Sequence, residues 1–420
     1  MLLNIKRTLL ILFVVTIISF LSIFKQMGLG SEWIEIIGIT SFFIVTLFLI
    51  SNNKDKKLTQ FMLTGFLLRF GLAIIQTYLY NLPDSTSDAV SFELVGYEMS
   101  LHGSIVYIIS NSTEAYTKLI AIVYLFLGRI PIFLLLINVF LGVLLIKISY
   151  KIVLQMNGTY KQARIASLII SIYPMLNLYS AISRREMFNI VFFALSFLYF
   201  LKWMSTLRNK EMLKAVSCIL ISAVFHSATA FVLFIYIFTY LFYKNKNLKY
   251  KFRKPGTKII VILAVTVIVV LTFNLVTKKV SSIQSFSPQG LTNFLINCPI
   301  GRGNYLSTLY PISFFDIIWQ TPIRIFYFCF GPFSTNILDI FSILFDSIFF
   351  IIFSIIILKN YTKVIINRKS QIVTALMVIT TILVVFSWGT VNFGTAIRHR
   401  QTISWLLICI TSLCYKRPNK

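Results

Sequence analysis

Asp84 and Asp88 stand four residues apart in LPDSTSDAVSFELVGYEMSLHG, and a helical turn across them would set both carboxylates on one face. Glu93, Glu98 and Glu114 follow, which makes residues 81–116 the densest acidic stretch of a very basic chain. A carboxylate at a membrane interface is partly desolvated, so its pKa rises toward neutrality and it can act as a general base toward a sugar hydroxyl. The alternative is a solvated acidic loop in which Asp84 caps a helix. Arg184 and Arg185, within SRRE, offer the complementary chemistry, because a guanidinium is a planar fork that grips phosphate and stays charged when partly desolvated. They suit ion pairs with Glu186 or the first-loop acids equally well. Arg398, His399 and Arg400 form a third cluster in GTVNFGTAIRHRQ, read as the outward side of the last hairpin, where Gly389 and Gly394 allow close backbone approach. His226 falls at a break between two short apolar runs, where a lone histidine ordinarily serves a backbone carbonyl. Arg302 lies between Gly301 and Gly303, a weak signal with no nucleotide fold around it. Arg69, inside an apolar run, is expected to snorkel or to pair with an acid.

The elements that must position these groups are membrane helices. Of 420 residues, 57% are hydrophobic and only 12% charged, with a mean hydropathy of +0.84. A soluble domain carries roughly 25% charged residues, so the polar side chains here are too few to coat one. Apolar runs of spanning length read at 8–24, 33–50, 60–80, 129–147, 163–182, 187–203, 213–227, 228–243, 259–277, 339–358, 371–389 and 401–415. That predicts an all-α polytopic membrane protein of about 12 crossings with both termini cytoplasmic. The net charge of +26 would suggest nucleic acid on a soluble chain. Here 27 of the 39 Lys and Arg fall on the side read as cytoplasmic, as the positive-inside rule expects, so nucleic acid is set aside. The arginines at 184, 185, 398 and 400 run against that bias and call for a local reason.

Residues 213–243 must make two crossings around His226, so those helices are short or one is re-entrant. The outward loops at 81–128 and 278–338 are long, and no polar stretch is large enough for a separate domain, which predicts one integral-membrane domain over 1–420. The basic start followed by a long apolar run reads as an uncleaved first helix. Five cysteines without CxxC spacing and three scattered histidines imply no metal, no disulfide framework and no cofactor.

LPDSTSDAVSFELVGYEMS, FLGRIPIFLLLINVFLG and SIYPMLNLYSAISRREMFN together resemble the first large extracytoplasmic loop and following helices of GT-C-type glycosyltransferases that use polyprenyl-phosphate carriers. SRREMFNIVFFALSFLYFLKW followed by AVSCILISAVFHSATAFVLFIYIF is similar to the Arg-then-FH pattern of EpsG-like and Wzy-type repeat-unit polymerases of bacterial surface polysaccharides. The resemblance covers about 80–243 and the RHR segment. It implies a catalytic base at Asp84 or Asp88, arginines facing a lipid-linked pyrophosphate at Arg185 and Arg184, and the pattern's histidine at His226. With these, Arg398, Arg400, Glu93 and Arg302 complete the expected substrate contacts. The implied activity is polymerisation of undecaprenyl-pyrophosphate-linked oligosaccharide repeats into O-antigen or capsule on the periplasmic face of the inner membrane. Lipid-linked oligosaccharide and membrane lipid are the implied partners, and the resemblance also admits a chain-length regulator. Two alternatives stay open: a GT-C enzyme moving one sugar from a polyprenyl phosphate, and a glycolipid flippase or transporter. Transporters often carry inverted repeats, and no internal repeat is evident.

Overall fold

The computed structural model describes residues 16, 19, 21–23, 25–28, 30–86, 88–242, 287–297, 303–306, 308–333, 340, 343–365 and 369–415. Among the described residues the chain is helical, with one isolated bridge between Asn304 and Asn392. The helices are α1 (Ser31–Ser51), α2 (Lys56–Ile74), α3 (Asp88–Leu101), α4 (Ile105–Ser110), α5 (Ala115–Leu127), α6 (Ile132–Gln155), α7 (Tyr160–Ile172) and α8 (Pro174–Ser180). They continue as α9 (Glu186–Thr206), α10 (Asn209–Phe225), α11 (Val232–Phe242), α12 (Pro288–Asn297), α13 (Phe314–Phe330), α14 (Ile348–Ile365), α15 (Lys369–Trp388) and α16 (Phe393–Leu413). Six helical stretches of the described residues are long and apolar enough to cross a membrane: α1, α2 with its π-turn to Leu79, α6, α9, α14 with the π-turn before it, and α15. With the composition, they make this an all-helical polytopic membrane protein.

The chain divides into two compact units, one of residues 1–147 and 167–191, the other of 148–166 and 192–420. The first is organised around Arg69. The run 163–182, expected as one helix, is two, because Pro174 has no N–H and starts α8 after a break at Tyr173. The missing donor would have bonded the carbonyl of Ile170, and Arg69 supplies it: Nη2 donates to Ile170 O at 3.0 Å and Nη1 to Ser171 O at 3.2 Å. Nη1 also donates to Gly65 O at 3.0 Å, and Nε to Ser180 Oγ at 3.2 Å. Arg69 therefore does not snorkel and pairs with no acid among the described residues; it is fully buried and serves the carbonyls of a broken helix. Gly65 and Gly142 make room for it, since a Cβ at Gly142 would stand 2.6 Å from Arg69 Nε and 2.4 Å from Ser180 Oγ.

In the second unit Trp405 is buried between Phe193 and Phe197, and Phe200 stacks on Tyr236 with centroids 4.0 Å apart. Residues 213–243 are broken at His226, whose extended backbone joins α10 to a short 3₁₀ turn, Ser227–Phe231, leading into α11. The expected second loop contains α12 and α13, and α13 is inside out. Phe314, Phe315, Ile318 and Phe326 face outward, while Gln320 and Arg324 are buried with Phe328. A capping box of Ser313 and Asp316 starts α13. The Trp319 indole, with the Ser313 and Ile312 donors, holds the Asp316 carboxyl down to about 2. The last helix begins at Phe393, not 401, because Asn392 caps it by accepting from Thr395 N at 2.8 Å. The apolar run 259–277 and the basic segment 244–258 lie outside the described residues.

Gly142→Ala is expected to lower the melting temperature in detergent, because overpacking a filled site costs about 1–3 kcal/mol. Arg69→Met should cost more, since it strands the buried carbonyls beside Pro174. A melting temperature for Arg69→Met at or above wild type would contradict this account of the helix break.

Candidate functional site: two buried arginine centres

The first centre lies in the unit of residues 1–147 and 167–191. Asn138 on α6 fixes the turn between α8 and α9 by donating from Nδ2 to Ile182 O at 2.7 Å and to Arg184 O at 2.9 Å. From that turn Arg184, only 2% exposed, reaches into the first loop. Its Nε donates to Asp84 O at 2.7 Å, Nη2 to Asp84 Oδ1 at 3.0 Å and Nη1 to Asp88 Oδ2 at 3.2 Å. Both predicted carboxylates thus converge on one guanidinium, but not through a shared helical turn. Asp84 is non-helical with φ +64, and α3 begins only at Asp88. Asp84 is therefore no helix cap, and Asp88, the residue further along, sits in the first turn, where a carboxylate favours the helix dipole. Asp88 keeps 53% of its side chain exposed while paired.

Arg185, in the turn just before α9, points elsewhere. It pairs with Glu114 and lies over the Phe92 ring at 5.5 Å. Glu93 is held in a fork by Arg129, Nε to Oε1 and Nη2 to Oε2 at 2.9 Å each, and accepts from the Tyr124 hydroxyl at 2.9 Å. That carboxylate also raises the Arg129 guanidinium above its ordinary value. Gly96 lets α3 approach α5, because a Cβ there would meet Ile120 at 2.6 Å. Four of the first-loop acids are therefore counter-ions for arginines.

The second centre lies within residues 148–166 and 192–420. Arg398, His399 and Arg400 are helical rather than in an outward loop, and side chains two residues apart diverge by about 200°, so the trio cannot grip one ligand together. Arg398 is half-buried. Arg400 is fully buried: Nη2 meets Asp346 Oδ2 at 2.6 Å, and Nη1 donates to Cys329 O at 2.5 Å and Gly331 O at 2.9 Å. Gln401 Nε2 donates to Asp346 Oδ1 at 2.8 Å. His399 does not act alone. Its Nε2 lies 3.1 Å from His226 Nε2 and its Nδ1 3.2 Å from Thr390 Oγ1, with the Phe386 ring against both imidazoles. One ring must donate and the other accept, so at most one is protonated on both nitrogens while this bond stands. His226 thus bonds a second imidazole, a partner the sequence did not suggest.

Arg302 lies outside the described residues. The residues that sequence reasoning missed are Asp346, Arg324, Arg129 and Glu114 as specific partners. Asp346 had a usable signal, a single acid inside the apolar run ILFDSIFF, since an ionisable residue in such a run generally faces the protein interior. No group of three or more potential metal ligands occurs among the described residues.

Removing Arg400 leaves the Asp346 carboxylate buried without its cation, which costs about 3–5 kcal/mol. Arg400→Met should therefore unfold far below wild type, and Arg400→Met/Asp346→Asn should recover most of the loss, with thermal melts in detergent as the readout. A double variant no better than the single one would show that the ion pair does not organise this centre.

No family model matches this chain, and no curated protein or solved structure is significantly similar to it.

Proposed function

We propose that this protein is a bacterial inner-membrane polymerase that joins undecaprenyl-pyrophosphate-linked oligosaccharide repeats into O-antigen or capsule at the periplasmic face. The observation that carries the reading is Arg184, a buried guanidinium that binds two first-loop carboxylates while leaving Asp88 half exposed. In this reading the acceptor hydroxyl of one unit attacks the anomeric carbon of the next. Asp88, or Asp84, takes the hydroxyl proton, and the lipid pyrophosphate leaves with the electrons of the broken C–O bond. Ion pairing with Arg184 favours the ionised carboxylate but lowers its basicity. A pyrophosphate competing for the guanidinium would loosen that pair and free Asp88 as the donor arrives. Arg185, partly exposed beside Glu114, serves as the headgroup contact.

The fold in this reading is GT-C-like with 12 crossings and both termini cytoplasmic. Besides the six long apolar helices, this reading takes four crossings from α7 with α8, α10, α11 and α16, and the amino-acid sequence alone supplies the remaining two, the apolar runs 8–24 and 259–277. In a cysteine-free background, a thiol reagent that cannot cross the inner membrane should label a cysteine at position 100 and not one at 250. The reverse pattern would sink the orientation.

Asp88→Asn should lower polymer formation by about two to four orders of magnitude, as expected for loss of a positioned general base. Lipid-linked single repeats should accumulate while the protein remains abundant. For Arg185, loss of the polymer ladder in both the Lys and the Ala variant indicates recognition by the guanidinium fork, because an ammonium is only a point charge. Wild-type ladders in Asp84→Asn and Asp88→Asn would remove both carboxylates from the mechanism. Accumulation of an undecorated acceptor, rather than of single repeats, would move the protein to the single-sugar transferases.

A further inference from the structure

Four arginines of the described residues are at most 2% exposed: Arg69, Arg184, Arg324 and Arg400. Arg69 has several acceptors and Arg184 and Arg400 each have a carboxylate, although Arg400 Nε is also without a hydrogen-bond partner among the described residues, whereas Arg324 has a single carbonyl. Its Nη2 donates to Leu309 O, and its guanidinium sits over the Trp388 ring with Cζ 4.3 Å from the centroid. The donors on Nε and Nη1 meet no acceptor among the described residues, and no described carboxylate pairs with this side chain. A ring face attracts a cation but does not satisfy N–H donors in this geometry, so the burial is poorly compensated.

The surroundings are built rather than incidental. Trp388 is fixed by its Nε1, which donates at 2.9 Å to Thr321 Oγ1 on the same helix as Arg324. Gln320, one turn before Arg324, is also buried, and its Oε1 likewise finds no partner. Tyr305 and Tyr310 lie near enough to act on the Arg324 charge, and burial pushes the guanidinium down to about 10, which leaves it cationic at neutral pH. The inverted polarity of α13, apolar outside and polar inside, points Gln320 and Arg324 into the protein and away from lipid.

We propose that Arg324, backed by Trp388 and flanked by Tyr305 and Tyr310, is the anchoring cation of a binding site for a phosphate-type oxyanion, supplied by a lipid headgroup or by free phosphate. The inference does not rest on the polymerase reading, because an enzyme and a carrier could use such a site equally.

The test is thermal unfolding of the full-length protein in detergent, titrated with inorganic pyrophosphate and with farnesyl pyrophosphate against chloride at matched ionic strength. Binding at about 100 times the dissociation constant should raise the wild-type melting temperature by roughly 3–5 °C. Arg324→Met, which keeps the bulk and removes the charge, should diminish that rise, and in an Arg185→Ala background, which lacks the first-loop headgroup contact of the polymerase reading, should abolish it. Because the lost charge was poorly compensated, the variant should also melt above wild type without ligand. A rise reached at far lower farnesyl pyrophosphate than inorganic pyrophosphate identifies a lipid headgroup, and equal potency identifies free phosphate. An undiminished rise in Arg324→Met overturns the proposal. So does a wild type insensitive to both probes.

Discussion

A guanidinium cannot shed its proton at physiological pH, so an arginine placed in an apolar interior must be given acceptors or a counter-ion. The described structure is arranged around four such arginines, and each is handled differently. Arg69 has carbonyls and a hydroxyl, Arg184 two carboxylates with backbone oxygens, Arg400 a buried carboxylate with two carbonyls, and Arg324 one carbonyl and a ring face. Local irregularities follow from these demands. The Pro174 break frees a carbonyl that Arg69 takes up, and the π-turn Ile343–Ser347 carries Asp346 to Arg400.

The same constraint shapes what chemistry the first loop can do. In a chain with 39 basic and 13 acidic residues, carboxylates are scarce and their pairing is consequential. Asp84 and Asp88 serve Arg184, Glu114 serves Arg185 and Glu93 serves Arg129. In the proposed polymerase reading, a base drawn from this set must first be released from its arginine, so anion binding and proton transfer would compete for the same side chains. A ligand that exchanges the carboxylate for a phosphate on Arg184 would couple the two steps.

Part of this arrangement follows from the order of residues alone. Composition and charge bias are sums over many residues, and the bilayer requires long apolar helices, so the all-helical membrane class and most helix positions follow from the chain alone. The attraction between first-loop acids and the SRRE arginines was equally legible, because acids are scarce in this chain and opposite charges flanked by apolar runs have few other partners. Pro174 should have split the run 163–182 from sequence alone, as a proline without an N–H inside an apolar run predicts.

What only the tertiary structure decided is which partner each charged group takes. The sequence determined that Arg69 had to be satisfied, but not that the carbonyls of Ile170 and Ser171, about a hundred residues away, would do it. RHR looked like one cationic patch, yet helix geometry sends Arg400 to Asp346 and His399 to His226. Arg324 gave no signal, because an arginine four residues after a glutamine is unremarkable until the helix is seen to turn both inward. Hydropathy and charge bias are additive along the chain and so survive in one dimension. Pairing depends on which helix faces meet, a property of packing that the order of residues encodes only through the whole fold.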